Sequence, residues 1–340
     1  MNRNDALLQD WRDRALRLEQ EVTKAVIGQD ALIRHITISV FARGHVLLEG
    51  DVGVGKTTLL RAVARAIGGA YERIEGTIDL MPNDLVYYTY ISEEGRPRVD
   101  PGPLLKHGPD LSVFFFNEIN RARPQVHSLL LRVMAERSAN AFNREHHFPH
   151  LTVFADRNRV EKEETFEISA AARDRFMMEL FVETPKDPEI QRRLMFDPAY
   201  HDTDTLVARV EPDVLAHTEL NQVSALIQQE IQSSEALEQY ALKLWGATRD
   251  PAEYGITIDG ANMQSLILAG ASPRGMSMLL RAARVAAWIK GRGYVSPEDI
   301  QFVYRETIAH RVFFNPVYEL RRSQVSKELM DGILNRIAAP

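Results

Sequence analysis

The sequence predicts an α/β domain built on a parallel sheet and followed by a smaller, all-helical domain, and three observations carry that prediction. Short apolar runs at 45–48, 113–116 and 151–155 alternate with stretches of helical periodicity, as they do where helices cover both faces of a parallel sheet. A glycine-rich loop joins the first run to a helix at 59–67. Beyond Thr184-Pro185-Lys186-Asp187-Pro188 the pattern turns almost wholly helical, which places a domain boundary there.

The elements follow in order. Leu7, Leu8, Trp11, Ala15, Leu18 and Val22 step by three and four residues, so 5–24 reads as an amphipathic helix and 1–24 as a helical lead-in. The core domain spans 25–184. Its segment 76–103, rich in Asp, Pro, Gly and Tyr, reads as an inserted hairpin with arms at 87–91 and 96–99 around Ser92-Glu93-Glu94-Gly95. Residues 124–136 form a helix and 137–150 a second, shorter hairpin. The helical domain spans 185–340, and in it Ser296-Pro297-Glu298-Asp299 is a helix start, with a serine cap, proline at the first position and an acid at the third.

Composition narrows the function classes. A chain of 340 residues, 45% hydrophobic and 26% charged, is long enough for two packed domains. No apolar run reaches the ~18 residues of a membrane span and the N-terminus lacks an apolar leader core, so the chain is expected in the cytoplasm. Without cysteine there is no disulfide, thiolate metal site or cysteine nucleophile. A net charge of -6 disfavours a general nucleic-acid binder. The histidines His146, His147 and His150 read as part of an exposed hairpin, not a zinc site. Phe114, Phe115 and Phe116 read as a buried strand. Arg281 and Arg284 read as a solvated helix face or a contact with a neighbouring subunit.

The most specific signal is Gly50-Asp51-Val52-Gly53-Val54-Gly55-Lys56-Thr57, a full match to G-x-x-x-x-G-K-[ST] set between a strand and a helix. Glycines let the main chain wrap around phosphates and the helix adds its positive N-terminal end. Lys56 would meet the β- and γ-phosphates, and Thr57 would offer its hydroxyl to Mg²⁺. This makes the core a P-loop NTPase fold. Such a site also needs a carboxylate at the end of a neighbouring strand and a group that polarises water. The run 113–116 ends in Asn117-Glu118. Glu118 is the candidate general base. Asn117 stands where an aspartate is needed, so contact with metal through water loses its charge-assisted part, about 1 to 3 kcal/mol. The expectation is weaker Mg²⁺ dependence and slow turnover.

At this point the chain resembles the AAA+ ATPases, and among them the MoxR family of the helix-2 insert clade. The resemblance runs over most of the chain through Val26-Ile27-Gly28-Gln29, the strand and loop from Gly44, Glu118-Ile119-Asn120-Arg121-Ala122, Ala170-Ala171-Ala172-Arg173-Asp174-Arg175-Phe176 and Gly270-Ala271-Ser272-Pro273-Arg274. It implies an AAA+ core carrying two hairpin inserts, a helical lid, and a hexameric ring with ATP at subunit interfaces. It also implies nucleotide contacts by Ile27, Gly28 and Thr58, Asn158 as sensor 1, Arg175 as the arginine finger and Arg274 as sensor 2. Arg173 stays open as an alternative finger. The sequence departs from the family at Asn117 and at Ala155-Asp156-Arg157-Asn158-Arg159, where Ala-Thr-Gln-Asn-Pro is usual. If the strand persists through Asn158, Asp156 shares its face and is a candidate to replace part of the missing charge.

Two functions follow from that resemblance. One is an ATP-hydrolysing, chaperone-like remodeller that matures a client enzyme, often one receiving a metal or cofactor, beside a von Willebrand factor A domain partner. The other is a nucleotide-gated switch or scaffold with little turnover, favoured by Asn117. A nucleic-acid motor would share the core chemistry but finds no basic, aromatic-laced stretch here.

Overall fold

The computed structural model describes residues 3–158 and 166–340. Arg159 lies outside the described residues. The chain divides into two compact units, one of Asp13–Phe176 and Leu180–Val223, the other of Met1–Arg12, Met177–Glu179 and Ser224–Pro340.

The chain opens with α1 (Arg3–Thr23), and its expected apolar face, from Trp11 through Ala15 and Leu18 to Val22, is buried. The helix is not a separate lead-in: its first residues count with one unit and the rest with the other.

The α/β unit then runs through α2 (Asp30–Phe41), β1 (His45–Gly50), α3 (Lys56–Ile67), β2 (Ala70–Glu75), β3 (Tyr87–Ile91), β4 (Pro97–Pro101), β5 (Leu111–Asn117) and α4 (Pro124–Glu136). It continues with β6 (Ser138–Ala141), β7 (Arg144–His147), β8 (Thr152–Asn158), α5 (Ala170–Arg173), β9 (Phe176–Val182), α6 (Pro188–Phe196) and α7 (Thr203–Ala208). The main sheet has the order β2-β5-β8-β1-β9, with β2, β5, β8 and β1 paired in parallel. Every residue of β5 is buried, as a strand covered on both faces requires. Phe114 and Phe116 share a core with Val126, Leu130 and Val133 of α4.

Both expected hairpins form, as the antiparallel pairs β3–β4 and β6–β7. Tyr87 of the first meets Phe142 at the turn of the second, with ring centroids 5.3 Å apart and planes tilted by 47°. α3 starts at Lys56, three residues before its apolar pattern does, because the polar residues 56–58 carry no hydrophobic signal.

The boundary expected after residue 184 falls instead after Val223. Residues 185–223 are tied to α3 by specific bonds: Arg61 pairs with Asp204 at 2.7 Å, and Arg65 Nε donates to the Val210 carbonyl at 2.7 Å. The amides of Asp213 and Leu215 donate to the carbonyls of Arg65 and Ala66. These bonds outweigh the helical pattern that suggested a second domain.

The helical unit takes in most of α8 (Leu220–Glu230), then α9 (Glu235–Ala247), β10 (Ile267–Ala269), α10 (Pro273–Ile289), α11 (Pro297–Ile308), β11 (Phe313–Phe314) and α12 (Arg322–Arg336). It is therefore not wholly helical, since β10 and β11 pair as a small antiparallel sheet. Ser272 caps α10 by accepting the Gly275 N–H at 3.0 Å. The start of α11 is the capping box that Ser296 and Asp299 announce. Asp299 is 0% exposed and accepts from Arg292 Nη2 at 2.6 Å, Lys290 Nζ at 3.0 Å, and Ser296 N and Oγ at 2.9 and 3.2 Å. Arg281 and Arg284 are half-buried in α10 rather than solvated, and burial pulls the Arg281 guanidinium below its ordinary value.

Candidate functional site

The loop from Gly50 to Thr57 joins β1 to α3, with Thr58 in the first turn of the helix. Its glycines answer two needs. Gly53 and Gly55 have φ of +80° and +85°, and a Cβ on either would meet nothing within 4 Å, so the left-handed backbone alone demands glycine there. Gly50 is short of space: a Cβ would lie 2.5 Å from the Val182 carbonyl oxygen. Main-chain N–H groups of such a turn, backed by the positive end of α3, make a cradle for anions. Asp51, Val52 and Gly53 are exposed at its tip.

Beside the loop is a cavity of about 340 Å³, lined by Val26, Ile27, Gly53, Gly55 and Thr58 and, from the segment after 184, by Leu194, Tyr200 and Thr203. Its size falls in the range of small-molecule sites. Ile27 is part of this wall. Gly28 does not line the cavity; it has φ +75° and lies under Ile190, whose Cδ1 would be 2.9 Å from an added Cβ. The wall from α6 and α7 escaped the sequence reading. Its local signals are capping aspartates at turn and helix starts: Asp187 accepts the Glu189 N–H at 2.8 Å, Asp197 the Ala199 N–H at 2.9 Å and Asp202 the Asp204 N–H at 3.2 Å.

The register of β1 and β8 sets Gly50 opposite Asn158 and Leu48 opposite Asp156. With a side-chain period of two, Asp156 and Asn158 share a face. Lys56, 8% exposed, reaches them both. Its Nζ donates to the Gly50 carbonyl at 2.7 Å and to Asn158 Oδ1 at 2.6 Å, and lies 3.4 Å from both the Asp51 carbonyl and Asp156 Oδ2. On the other side of this face, Asn158 Nδ2 donates to Glu118 Oε1 at 3.1 Å and Arg121 Nη1 to Glu118 Oε2 at 3.1 Å. Asp156 Oδ1 accepts the Glu118 N–H at 2.6 Å. Burial pushes the Asp156 carboxyl above its ordinary value, against the opposing pull of the Glu118 N–H and Lys56.

Glu118 stands ahead of a single 3₁₀ turn with φ 52° and ψ 49°, a left-handed conformation that costs a non-glycine residue ~1 to 3 kcal/mol. Gly76, the residue after β2, is pressed against it: its N–H donates to the Asn117 carbonyl at 2.7 Å, and a Cβ there would sit 2.2 Å from the Glu118 carbonyl oxygen. Asn117 is 7% exposed and donates from Nδ2 to Glu75 Oε1 at 3.4 Å, a long contact.

Thr57, Asn117 and Asp156 offer hard oxygen donors, the kind magnesium takes together with phosphates. Among the described residues no three His, Cys, Asp or Glu side chains gather as a metal site of their own, the histidines of the second hairpin included. Arg175 is half-buried and donates from Nη1 to the Ala171 carbonyl at 2.9 Å, whereas Arg173 is only 7% exposed. Arg274 is exposed in the first turn of α10, in the helical unit.

Residues 45–178 match the family described as "ATPase family associated with various cellular activities (AAA)", and residues 261–330 match the AAA lid domain. The chain is 59% identical over 336 residues to Protein MoxR of Methylorubrum extorquens, covering 99% of this chain and 98% of that one. It is 52% identical to Protein MoxR of Paracoccus denitrificans, covering 99% of each. It is 33% identical to Chaperone MoxR1 of Mycobacterium tuberculosis, over 94% of this chain and 81% of that one. A solved structure of a protein from Cytophaga hutchinsonii superposes with a TM-score of 0.82 at 29% identity, covering 99% of this chain and 97% of that one.

Proposed function

This chain belongs to the MoxR family of AAA+ ATPases, and from that premise we propose that it binds and hydrolyses ATP to remodel a client protein, in the manner of a chaperone. One observation carries the reading: Lys56, Asn158 and Glu118 form a continuous chain of contacts at the mouth of the phosphate loop. The relative from Mycobacterium tuberculosis is named a chaperone, which supports the client-directed part.

In this reading the amides between Gly50 and Thr57 and the Lys56 ammonium hold the phosphates, and Ile27, Thr58 and the cavity beside them take the nucleoside. Magnesium, bound with the nucleotide, would neutralise phosphate charge, held by the Thr57 hydroxyl and through water by Asn117. Glu118 accepts the proton of the attacking water, and Asn158, already bonded to it, orients that water. The arginine finger belongs to a neighbouring subunit of a hexameric ring. Arg175 suits it better than Arg173, because it is half-buried where Arg173 is 7% exposed, and a group that reaches across an interface must be accessible. Arg274 serves as the lid's sensor. A von Willebrand factor A domain protein and a client enzyme are the proposed partners. Cytoplasmic residence is proposed as well; among the described residues no helix is long and apolar enough to cross a membrane.

Asn117 favours a second reading, in which bound nucleotide acts as a switch with little turnover. Steady-state phosphate release decides between them. Turnover in the native protein that falls by at least about a hundredfold in Glu118→Gln, with ATP binding kept, supports the motor. No turnover in the native protein and its appearance in Asn117→Asp supports the switch.

A further inference from the structure

We propose that Asp156 is a positioning residue that supplies from β8 the negative charge that Asn117 leaves off β5, and fixes the backbone of Glu118. The inference rests on the ATPase reading above. Phe116 pairs with Ala155 in the parallel ladder, so Asn117, the last residue of β5, and Asp156, two residues short of the end of β8, come next, side by side and on one face. The missing carboxylate is thus displaced by a single strand and not lost.

Two contacts define its work. Oδ1 accepts the Glu118 N–H at 2.6 Å. That bond holds the peptide of a residue whose left-handed φ of 52° is a strained choice for glutamate, and so sets where the Glu118 side chain leaves the main chain. Oδ2 lies 3.4 Å from Lys56 Nζ, placing a negative charge beside the ammonium of the phosphate loop.

The site treats this carboxylate poorly as a piece of folding. It is 1% exposed, yet only one oxygen has a short partner. Taking a carboxylate out of water with so little compensation costs stability. An isosteric amide would keep the bond to Glu118 without that cost, so the charge itself is what the site retains. One cation it faces is the Lys56 ammonium at 3.4 Å, and the other that a phosphate-loop site takes, with hard oxygen donors, is magnesium.

The test is a cycle of Asp156→Asn, Asn117→Asp and the double variant, with Asp156→Ala beside them. Calorimetry measures ATP binding in EDTA and across a Mg²⁺ titration, and phosphate release gives kcat and KM. Asp156→Asn should bind ATP in EDTA within about twofold of the native protein. It should need on the order of tenfold more Mg²⁺ for half-saturation and lose kcat on the order of tenfold, the scale of one charge-assisted contact. Asn117→Asp in that background should restore both. Asp156→Ala should lose more kcat, and Asn117→Asp should not recover it, because the Glu118 amide has lost its acceptor.

Unchanged Mg²⁺ dependence in Asp156→Asn, or a double variant no better than Asp156→Asn, overturns the proposal. Should the Asp156 variants fail to fold, Asn117→Asp alone decides. Two carboxylates side by side repel, so Tm should fall by several degrees, and an unchanged Tm overturns the proposal. A native protein that binds no ATP sinks the ATPase reading itself. A native protein that turns over, beside an indifferent Asp156→Asn, sinks only this inference.

Discussion

Two buried aspartates, one in each unit, show how differently a fold can treat the same side chain. Asp156 is 1% exposed and Asp299 0%. Burial raises the pKa of both, but at Asp299 it is outweighed by Arg292, the Ser296 N–H and Lys290, which bring that carboxyl below its ordinary value. At Asp156 the Glu118 N–H and Lys56 do not make up the loss, and the carboxyl stays above it. Asp299 is a fastening that ties a helix cap to two cations. Asp156 is a charge the core keeps at a cost, and it stands next to the lysine and glutamate of the phosphate site.

The largest effect that could break this contrast is on thermal stability. Asp299→Ala removes the acceptor of four donors and should cost about 3 kcal/mol, less than a fully sealed ion pair because Arg292 and Lys290 keep some access to water. Asp156→Asn should cost under about 1 kcal/mol or raise Tm, since it removes a buried charge that its partners only partly offset and keeps an acceptor. Thermal melts of the two variants check both; equal losses would erase the distinction.

A smaller effect sharpens it through pH. Asp299 has a folded pKa below the reference of 3.8, so its contribution is complete above that value and drains away as pH falls through the folded pKa. Asp156 runs the other way: its folded pKa is above 3.8, so stability is greatest below that value and is lost as pH rises through the folded pKa. Melts from pH 3 to 8 should therefore show a shallower acid limb for Asp299→Asn. Asp156→Asn should lose less stability than the native protein on going from acid to neutral. A native-like profile in either variant breaks that half of the comparison.

Much of the site could be read from residues alone because its signals are local. The phosphate loop needs glycines at fixed offsets, α4 begins at Pro124 and ends at Glu136 as its apolar spacing says, and β8 runs to Asn158, so the period-two argument for Asp156 holds. What stayed hidden depends on distant partners. β2 is half-buried at best, with no apolar run, and takes its place by pairing with β5. α6 has no buried residue, so no amphipathic stripe marked it as part of the core. The bonds from Asp213 and Leu215 to Arg65 and Ala66 join main-chain atoms, and Arg65 Nε ends on the Val210 carbonyl, so at the 210–215 end only main-chain groups take part, which any sequence possesses. The left-handed turn at Glu118 is legible only once Asp156 is seen holding its amide.

Gly76 has a mechanical meaning. The chain leaves β2 here on its way to the first hairpin, bonded to Asn117 and pressed against Glu118 with no room for even a methyl group. Any side chain at this position must therefore displace the peptide that aims the glutamate.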